Sequence, residues 1–286
     1  MLFIQSIECY KKHMISIDRA TETIKGYIIE LNLLNKYLSE KYNGLIYLED
    51  VNFQDLEDYL FHMKDKGYAP ASRSRATYII RAFYNFCYKK EYVAKNIAVN
   101  LEAVPVPEKE RVFLTAEEMK YVISGIDSPI MRLLVNTLYF TGMRISECLN
   151  LLLKDVDLKE GIITVRNTKN KQDRQIPIHR ELTEPFSNYM KNWRDGACNP
   201  YFFCLNGTLR ISPDHVNKVL HKATQRIHMD KHVTCHIIRH SFASRLVARN
   251  INIVNIQKLL GHKDLSTTSI YTHTNIDELK KAVNAI

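Results

Sequence analysis

The stretch VPVPEKER, Val104 to Arg111, divides the sequence into two parts of different character. Two prolines and a run of charges between helical patterns are typical of an interdomain linker. Lys+Arg against Asp+Glu is 14 to 13 up to Val106 and 26 to 18 from Pro107, so the basic excess lies in the second part. The sequence therefore predicts two domains, residues 1–106 and 107–286, with the linker at 104–111.

The part before the linker carries helical periodicity alone. A first segment follows a possible cap at Thr21 or Thr23 and ends at Asn43 and Gly44, because its apolar residues recur at helical spacing: Ile24, Ile28, Leu31, Leu34 and Leu38. A second helix is predicted from about Gln54 to Lys66, and a third from Ser72 along SRSRATYIIRAFYNFCYKK. These segments predict a small helical bundle.

After the linker, strand patterns appear among the helical ones. TAEE at Thr115 to Glu118 is a capping box, and a further helix is predicted from about Pro129 to Phe140. GIITVRN and RQIPI are β-rich and flank the polar TKNKQD, Thr168 to Asp173, which predicts a hairpin with a basic tip. YFFC, residues 201–204, is a candidate further strand, and later helices are predicted to open at Ser212, Thr234, Asn252, Ser266 and Asn275. The predicted fold class is mainly α with a small antiparallel β-sheet (α+β).

The composition excludes several classes of protein. With 286 residues, 45% hydrophobic and 25% charged, the chain is neither disordered nor fibrous. The opening MLFIQSIECYKK is broken by polar residues before it reaches the length of a signal core or a membrane span, which predicts a cytoplasmic protein without a membrane partner. The six cysteines form no CxxC pair and are expected to be reduced thiols.

The segment HIIRHSFASRL, His236 to Leu246, places two imidazoles and a guanidinium on one helical face: His236, Arg239 and His240. Histidines at 228, 232, 236 and 240 suggest metal ligands, but the predicted N-cap Thr234 interrupts that series. HExxH and other zinc spacings are also absent from the sequence. We therefore expect no metal site.

Further polar groups stand in tightly turned settings of the second part. Arg144 follows Gly142 in TGMRISE, Lys169 lies on the hairpin tip, and LLGHKDLSTTSIYTH contains His262 and Tyr271. Taken singly, each is more often an ordinary surface or packing residue. Together the cations fit a phosphate, since guanidinium groups bind phosphate oxygens in pairs, and a tyrosine could serve as nucleophile.

In their order along the chain, these motifs resemble those of the tyrosine recombinases, the phage integrase family, and particularly its compact Xer-like members. TGMRISE, HIIRHSFAS and LLGHKDLSTTSIYTH match the three signature boxes, and the N-terminal bundle is similar to the family's core-binding domain. Met143 and Cys148 replace more usual aliphatic residues. The hairpin also departs from the common pattern, which leaves Lys171 as a second candidate for the lysine role. Lys169 is preferred because it precedes Arg174 by five residues and Pro177 by eight, which is the spacing that the resemblance implies.

The resemblance implies cleavage of DNA through a 3′-phosphotyrosyl link and a free 5′-hydroxyl, without metal, ATP or another cofactor. Tyr271 would be the nucleophile and His236 its base, because a phenol is mostly protonated at neutral pH. Arg144 and Arg239 would hold the nonbridging phosphate oxygens. His262 would add a hydrogen bond to the same phosphate.

Two further residues complete the site that the resemblance implies. Lys169 would protonate the leaving 5′-oxygen. Glu147, one helical turn after Arg144, is predicted to orient His236 or an arginine rather than touch the substrate.

The implied partner is double-stranded DNA with inverted repeats, held in a clamp of the two domains. The residues predicted to contact this DNA are Arg73, Arg75, Arg81, Arg174 and His240. The C-terminal helix, 275–286, is expected to dock on a neighbouring subunit, which gives a homotetramer on paired sites and a monomer in free solution.

Two alternatives remain open: a type IB topoisomerase-like nicking and resealing enzyme, and a DNA-binding regulator without catalysis. The sequence also leaves the biological setting open among chromosome-dimer resolution, phage or transposon integration, and cointegrate resolution.

Overall fold

The structure is a computed structural model that describes residues 1–107, 112–166, 173–194, 199–205 and 209–261. The chain divides into two compact units, Met1–Glu110 and Arg111–Ile286. Within the described ranges, no helix combines the length and the apolar character that crossing a membrane requires.

The described residues of the first unit form a helical bundle with one short 3₁₀ turn at Leu48–Asp50. Its helices are α1 (Phe3–Ser16), α2 (Thr21–Lys41), α3 (Phe53–Asp65) and α4 (Pro70–Lys89). Leu31, Leu34 and Leu38 of α2 are fully buried and pack in one core with Phe3 of α1 and Phe83 of α4. The predicted apolar periodicity of α2 therefore marks its core face.

This unit differs from the sequence prediction in three places. Helix α1 adds an element to the three predicted helices, α2 has Ala20 at its N-cap instead of Thr21 or Thr23, and α4 begins at Pro70 instead of Ser72. Proline at the first helical position is favourable because its fixed φ suits the helix and its missing N–H would have no partner there. Asn52 caps α3 by accepting a hydrogen bond from the Asp55 amide.

The described residues of the second unit form helices around two small sheets. The helices are α5 (Ala116–Ser124), α6 (Pro129–Thr141), α7 (Ile145–Leu149), α8 (Arg180–Tyr189), α9 (Pro213–Arg226), α10 (Cys235–Ala248) and α11 (Ile253–Leu260). The strands are β1 (Val156–Asp157), β2 (Ile162–Val165), β3 (Arg174–Pro177), β4 (Cys204–Leu205) and β5 (Leu209–Arg210). The mainly α fold with a small antiparallel sheet is thus confirmed.

The first sheet has the order β1-β2-β3 and is antiparallel throughout. Val165 pairs with Arg174, so Arg174 lies opposite the end of β2, where the hairpin begins. The second sheet pairs only β4 with β5. Of YFFC, only Cys204 is in a strand, whereas Tyr201 forms an isolated bridge with Leu152 and the two phenylalanines are buried in the core.

Helix α8, with a π-helical turn at Met190–Arg194, was missed by the sequence analysis. Pro185 lies inside it, and an internal proline ordinarily breaks a helix. The buried residues Leu182, Phe186 and Tyr189 nevertheless recur at helical spacing and fix α8 on the core. Packing therefore overrides the local signal of the proline.

Several helix ends converge on one region of the second unit. Helix α6 ends at Gly142 and α11 ends at Gly261, both in the left-handed conformation that glycine adopts readily. Thr234 caps α10 through the Ile237 amide, as its place in the sequence predicts. Helix α10 packs on α6 and on α11, so the side chains at 236–240 lie beside both glycine turns.

Candidate active site

Helix α10 carries the polar face that its sequence predicts. The rings of His236 and His240 lie 4.5 Å apart between centroids and are nearly perpendicular, at 88°. Arg239 between them is buried, with only 4% of the residue exposed. The imidazoles and the guanidinium therefore occupy one small region.

Arg239 is held by two main-chain carbonyl groups from different helices. Its Nη1 donates to the Gly142 carbonyl oxygen and its Nη2 to that of Leu260, both at 2.7 Å. Nη1 also lies 4.0 Å from a Glu147 carboxylate oxygen. A buried guanidinium without such partners would be costly, so these contacts are what allow the charge inside the domain.

Arg144 precedes α7 and reaches toward the same carboxylate. Its amide donates to Glu147 Oε2 at 2.8 Å, and its Nη1 donates to Oε1 at 2.9 Å. Its Nη2 lies 3.3 Å from the Gly261 carbonyl oxygen. The side chain remains 44% exposed, so this guanidinium can be reached from solvent.

Glu147 is bound most closely by an arginine from the hairpin. Arg174 donates from Nη1 to Oε1 at 3.0 Å and from Nη2 to Oε2 at 2.7 Å, a two-pronged pair. Burial by itself raises the pKa of the Glu147 carboxyl, but hydrogen bonds and charge from Arg174, followed by those from Arg144, lower that pKa to about 2. Glu147 is therefore a carboxylate at every working pH and holds the arginines together.

The end of α11 collects one arginine on each of three successive carbonyl groups. Arg174 Nε donates to Leu259 at 2.9 Å, while Arg239 and Arg144 donate to Leu260 and Gly261. The last carbonyls of a helix lack intrahelical partners and carry partial negative charge. The three arginines supply hydrogen-bond donors to these carbonyl oxygens and positive charge beside them. These contacts fix the chain immediately before His262.

The contacts of Glu147 and Arg174 bear on the roles predicted for these two residues. Glu147 contacts arginines, which is one of the two functions expected of it. Arg174 was expected to contact DNA, but only 13% of its side chain is exposed, and its guanidinium is directed at Glu147 and Leu259. All three of its guanidinium nitrogens donate to protein acceptors, and a contact with DNA stays a prediction. The pairing could not be found in the sequence, because residues 147 and 174 are far apart along the chain.

Four predicted residues, Lys169, Lys171, His262 and Tyr271, lie outside the described residues. The structure brings together Arg144, Glu147, Arg174 and Arg239, with His236 and His240 on the helix of Arg239.

In the first unit, the three arginines predicted to contact DNA do not share a face of α4. Arg75 and Arg81 are exposed, as is Tyr78, but six positions place the two arginines about 120° apart around the helix. Arg73 is half-buried and donates from Nε to the Tyr68 carbonyl oxygen at 3.3 Å. Residues two apart lie about 200° around a helix, so Arg73 faces away from Arg75.

The four-residue histidine series does not form a single helix, as the cap at Thr234 predicts. Helix α9 ends at Arg226 and α10 begins at Cys235, while His228 has a positive φ of 51° between them. Over the ranges that the structure describes, no group of three or more His, Cys, Asp or Glu side chains is placed to hold a metal ion.

Comparison with known families gives matches over both units. Residues 112–278 match the model described as the phage integrase family. Residues 7–91 match the model described as the phage integrase N-terminal SAM-like domain. The chain is 33% identical over 270 residues to tyrosine recombinase XerA of Pyrococcus furiosus, covering 93% of this chain and 88% of that protein.

Solved structures share the fold at lower identity. A Tn1549 transposon integrase in complex with a circular intermediate DNA matches with a TM-score of 0.82 and 20% identity, covering 100% of this chain and 99% of that one. A lambda integrase dimer bound to a COC′ core site matches with a TM-score of 0.78 and 18% identity, covering 93% and 97%.

Proposed function

Because this chain belongs to the phage integrase family of tyrosine recombinases, we propose that it cleaves DNA with Tyr271 and rejoins it to a new partner strand. The chain is a site-specific recombinase, an enzyme of DNA strand cleavage and rejoining. Tyr271 lies within the matched range 112–278. We propose a role in that reaction for each of the residues named below.

The observation that carries the proposal is the convergence of Arg144 and Arg239 beside Glu147 at the end of α11. Two guanidinium groups fixed in this way can bind the nonbridging oxygens of one phosphate and stabilise the charge that builds during displacement. Arg144 is the more accessible of the two, since a large part of its side chain faces solvent. Its guanidinium has five N–H donors, and among the described residues it donates to two protein acceptors, Glu147 Oε1 and the Gly261 carbonyl oxygen.

The chemical step exchanges one phosphate ester for another. The Tyr271 oxygen forms a bond to phosphorus, the bond to the 5′-oxygen breaks, and a 3′-phosphotyrosyl link remains. His236 takes the phenolic proton, and Lys169 gives a proton to the leaving 5′-oxygen. His262 donates a hydrogen bond to the phosphate. Rejoining is the same step reversed with another 5′-hydroxyl, so it needs neither ATP nor metal.

The proposed partner is a double-stranded DNA site with inverted repeats, bound by the two domains as a clamp. Solved relatives include integrase dimers and a tetramer on DNA. For this chain we expect a monomer in free solution and a homotetramer on paired sites, with residues 275–286 docking on a neighbouring subunit. Exposed basic residues of α4, Arg75 and Arg81, would face the DNA.

A recombinase is favoured over the two alternatives. A regulator without catalysis would not need Arg144, Arg239 and Glu147 in this arrangement. A topoisomerase-like nickase would not need the apolar C-terminal segment beyond the nucleophile. Similarity to named Xer recombinases of archaea and bacteria supports an Xer-like role, with integration or cointegrate resolution as related settings.

The decisive experiment is trapping on a suicide DNA substrate that loses the 5′-hydroxyl strand after cleavage. The wild-type chain should form a covalent adduct that is visible on a denaturing gel. Tyr271→Phe should form none while it binds the site almost as well, because the lost hydroxyl is the nucleophile and touches little of the duplex. An adduct that persists in Tyr271→Phe would move the nucleophile to another residue.

A further inference from the structure

Arg174 has no assigned role in the chemical step, yet it donates three hydrogen bonds to groups of the site, two to Glu147 and one to Leu259. We propose that Arg174 is a positioning residue, which sets the geometry of Arg144 through Glu147 and fixes the end of α11 from which the chain continues to His262 and Tyr271. This inference rests on the proposed function and adds to it the element that joins the hairpin to the rest of the site.

Arg144 and Arg174 share the carboxylate of Glu147. Arg144 Nη1 and Arg174 Nη1 both donate to Glu147 Oε1, at 2.9 and 3.0 Å. The second oxygen, Oε2, accepts from Arg174 Nη2 and from the Arg144 amide. A carboxylate held on both oxygens has one orientation, so the position of Arg174 determines where Arg144 is directed.

Arg174 also contacts the end of α11. Arg174 Nε donates to the Leu259 carbonyl oxygen, and its guanidinium packs on the face of Gly261. A Cβ at position 261 would lie 2.8 Å from Arg174 Nη1. The backbone there also has a φ of +65°, which residues with a side chain rarely adopt. The close packing of the guanidinium on this residue therefore depends on glycine. The Arg174 guanidinium therefore links three elements that are separate in sequence: β3, α7 through Glu147, and the last turn of α11.

Arginine is needed here for its shape as well as its charge. Two parallel donors meet the carboxylate while Nε points at a different acceptor, and a lysine ammonium cannot reproduce this fixed fork. Nε, Nη1 and Nη2 of Arg174 all donate to these protein acceptors, which accounts for the whole guanidinium group. Its effect on catalysis should appear in the rate of cleavage rather than in affinity for the site.

The test compares Arg174→Gln and Arg174→Lys with the wild-type full chain on the suicide substrate, measuring site affinity and the single-turnover cleavage rate separately. Arg226→Met is the matched control, because Arg226 also donates to a carbonyl group, at Gly125, and to a carboxylate, at Asp127. Arg174→Gln should cleave about 10- to 100-fold more slowly, with affinity changed by less than about threefold. Arg174→Lys should restore part of the rate, and Arg226→Met should keep it.

The pH profile gives a readout that a purely structural role would not move. The charged groups facing Glu147 are Arg144 on its own element, Arg174 on β3 and Arg239 on α10. Without Arg174, the buried carboxyl loses its strongest partner, so its pKa rises and it becomes protonated at a higher pH. The acidic limb of the cleavage rate should therefore shift upward in Arg174→Gln, and only partly in Arg174→Lys.

Several outcomes would overturn the inference. One is a wild-type rate in Arg174→Gln, and another is a loss no larger than that of Arg226→Met. A loss of affinity with an unchanged rate at saturating DNA would make Arg174 a DNA contact instead. If Arg174→Gln does not fold, Arg174→Lys carries the test, since it keeps the charge.

A failure of the proposed function would be distinguishable from a failure of this inference. If the wild-type chain forms no adduct, the proposed function is wrong, and Arg174 is then judged by ¹³C NMR titration of the Glu147 carboxyl. An upward shift of this titration in Arg174→Gln would support the link between the two residues. No shift would refute it.

Discussion

At the scale of the residue, Glu147 shows how a buried charge can be kept in a protein. Its carboxylate is bound by Arg144 and Arg174 and lies near Arg239, so three cations share one anion. The surplus of positive charge is suited to a site that receives a phosphate. The same surplus makes the carboxylate important for stability when no phosphate is present.

Glu147→Gln should therefore destabilise the chain in a pH-dependent way. The pKa of Glu147 is lowered from 4.5 to about 2 in the folded chain, so its charge contributes fully above the higher value. That contribution is lost as the pH falls from the higher value to the lower one. Denaturant unfolding at several pH values should show wild type and variant converging across this window.

The exposed pair of Glu22 with Lys25 provides the control, because exposed ion pairs contribute little to stability. Glu22→Gln should thus change the unfolding midpoint only slightly at any pH. A gap between wild type and Glu147→Gln that stays constant down to pH about 3 would contradict the account of Glu147.

At the scale of the element, helix ends build the site. Gly142 ends α6 in the left-handed conformation and directs its carbonyl group to Arg239, while Gly261 ends α11 and directs its own to Arg144. The ring of Phe242 on α10 packs directly on Gly142. The contact between α6 and α10 is therefore close because residue 142 has no side chain.

Gly142→Ala should cost both stability and activity. An alanine there adopts an unfavourable positive φ, and its Cβ would overlap the Phe242 ring. Gly161→Ala is the matched control, since Gly161 has a similar φ of +67° but nothing within 4 Å of an added Cβ. Thermal unfolding should show Gly142→Ala to be less stable than Gly161→Ala by about 1–3 kcal/mol, the usual cost of overpacking. Equal losses of stability in the two variants would mean that the Phe242 ring moves aside without cost.

At the scale of the whole molecule, the question is how single chains assemble on DNA. The terminal segment NIDELKKAVNAI places Ile276, Leu279, Val283 and Ile286 at helical spacing, which predicts an apolar face after Tyr271, the proposed nucleophile. Burying such side chains is worth roughly 1.5–3 kcal/mol each before the cost of ordering them. We expect this free energy to be enough for association on DNA and too little for a stable tetramer in free solution.

A chain truncated after Asn275 should bind one site normally but lose cooperative synapsis of two sites. Gel shift with single and paired sites, together with sedimentation in the absence of DNA, measures both properties. The truncated chain should also cleave at an altered rate, because the missing segment begins only a few residues after Tyr271. If it recombines as well as the full chain, the segment packs on its own domain and the assembly argument fails.

The sequence by itself determined the elements and most of the predicted chemistry, because both depend on local patterns. Apolar periodicity marks the core face of α2, caps at Thr115 and Thr234 begin α5 and α10, and the arginine, histidine and tyrosine boxes indicate the family. Local patterns failed where packing decided the outcome. Helix α8 forms despite Pro185, because Leu182, Phe186 and Tyr189 are buried together.

Only the tertiary structure decided which contacts hold the site together and that Arg174 pairs with Glu147. Arg144, Arg174 and Arg239 come from different elements and meet at Glu147 and at the last carbonyl groups of α11. No sequence spacing encodes that meeting, since it depends on how β3, α10 and α11 pack. The sequence specifies which charges are available, but a buried charge is stable only beside its partners, and folding alone brings those partners within hydrogen-bonding distance.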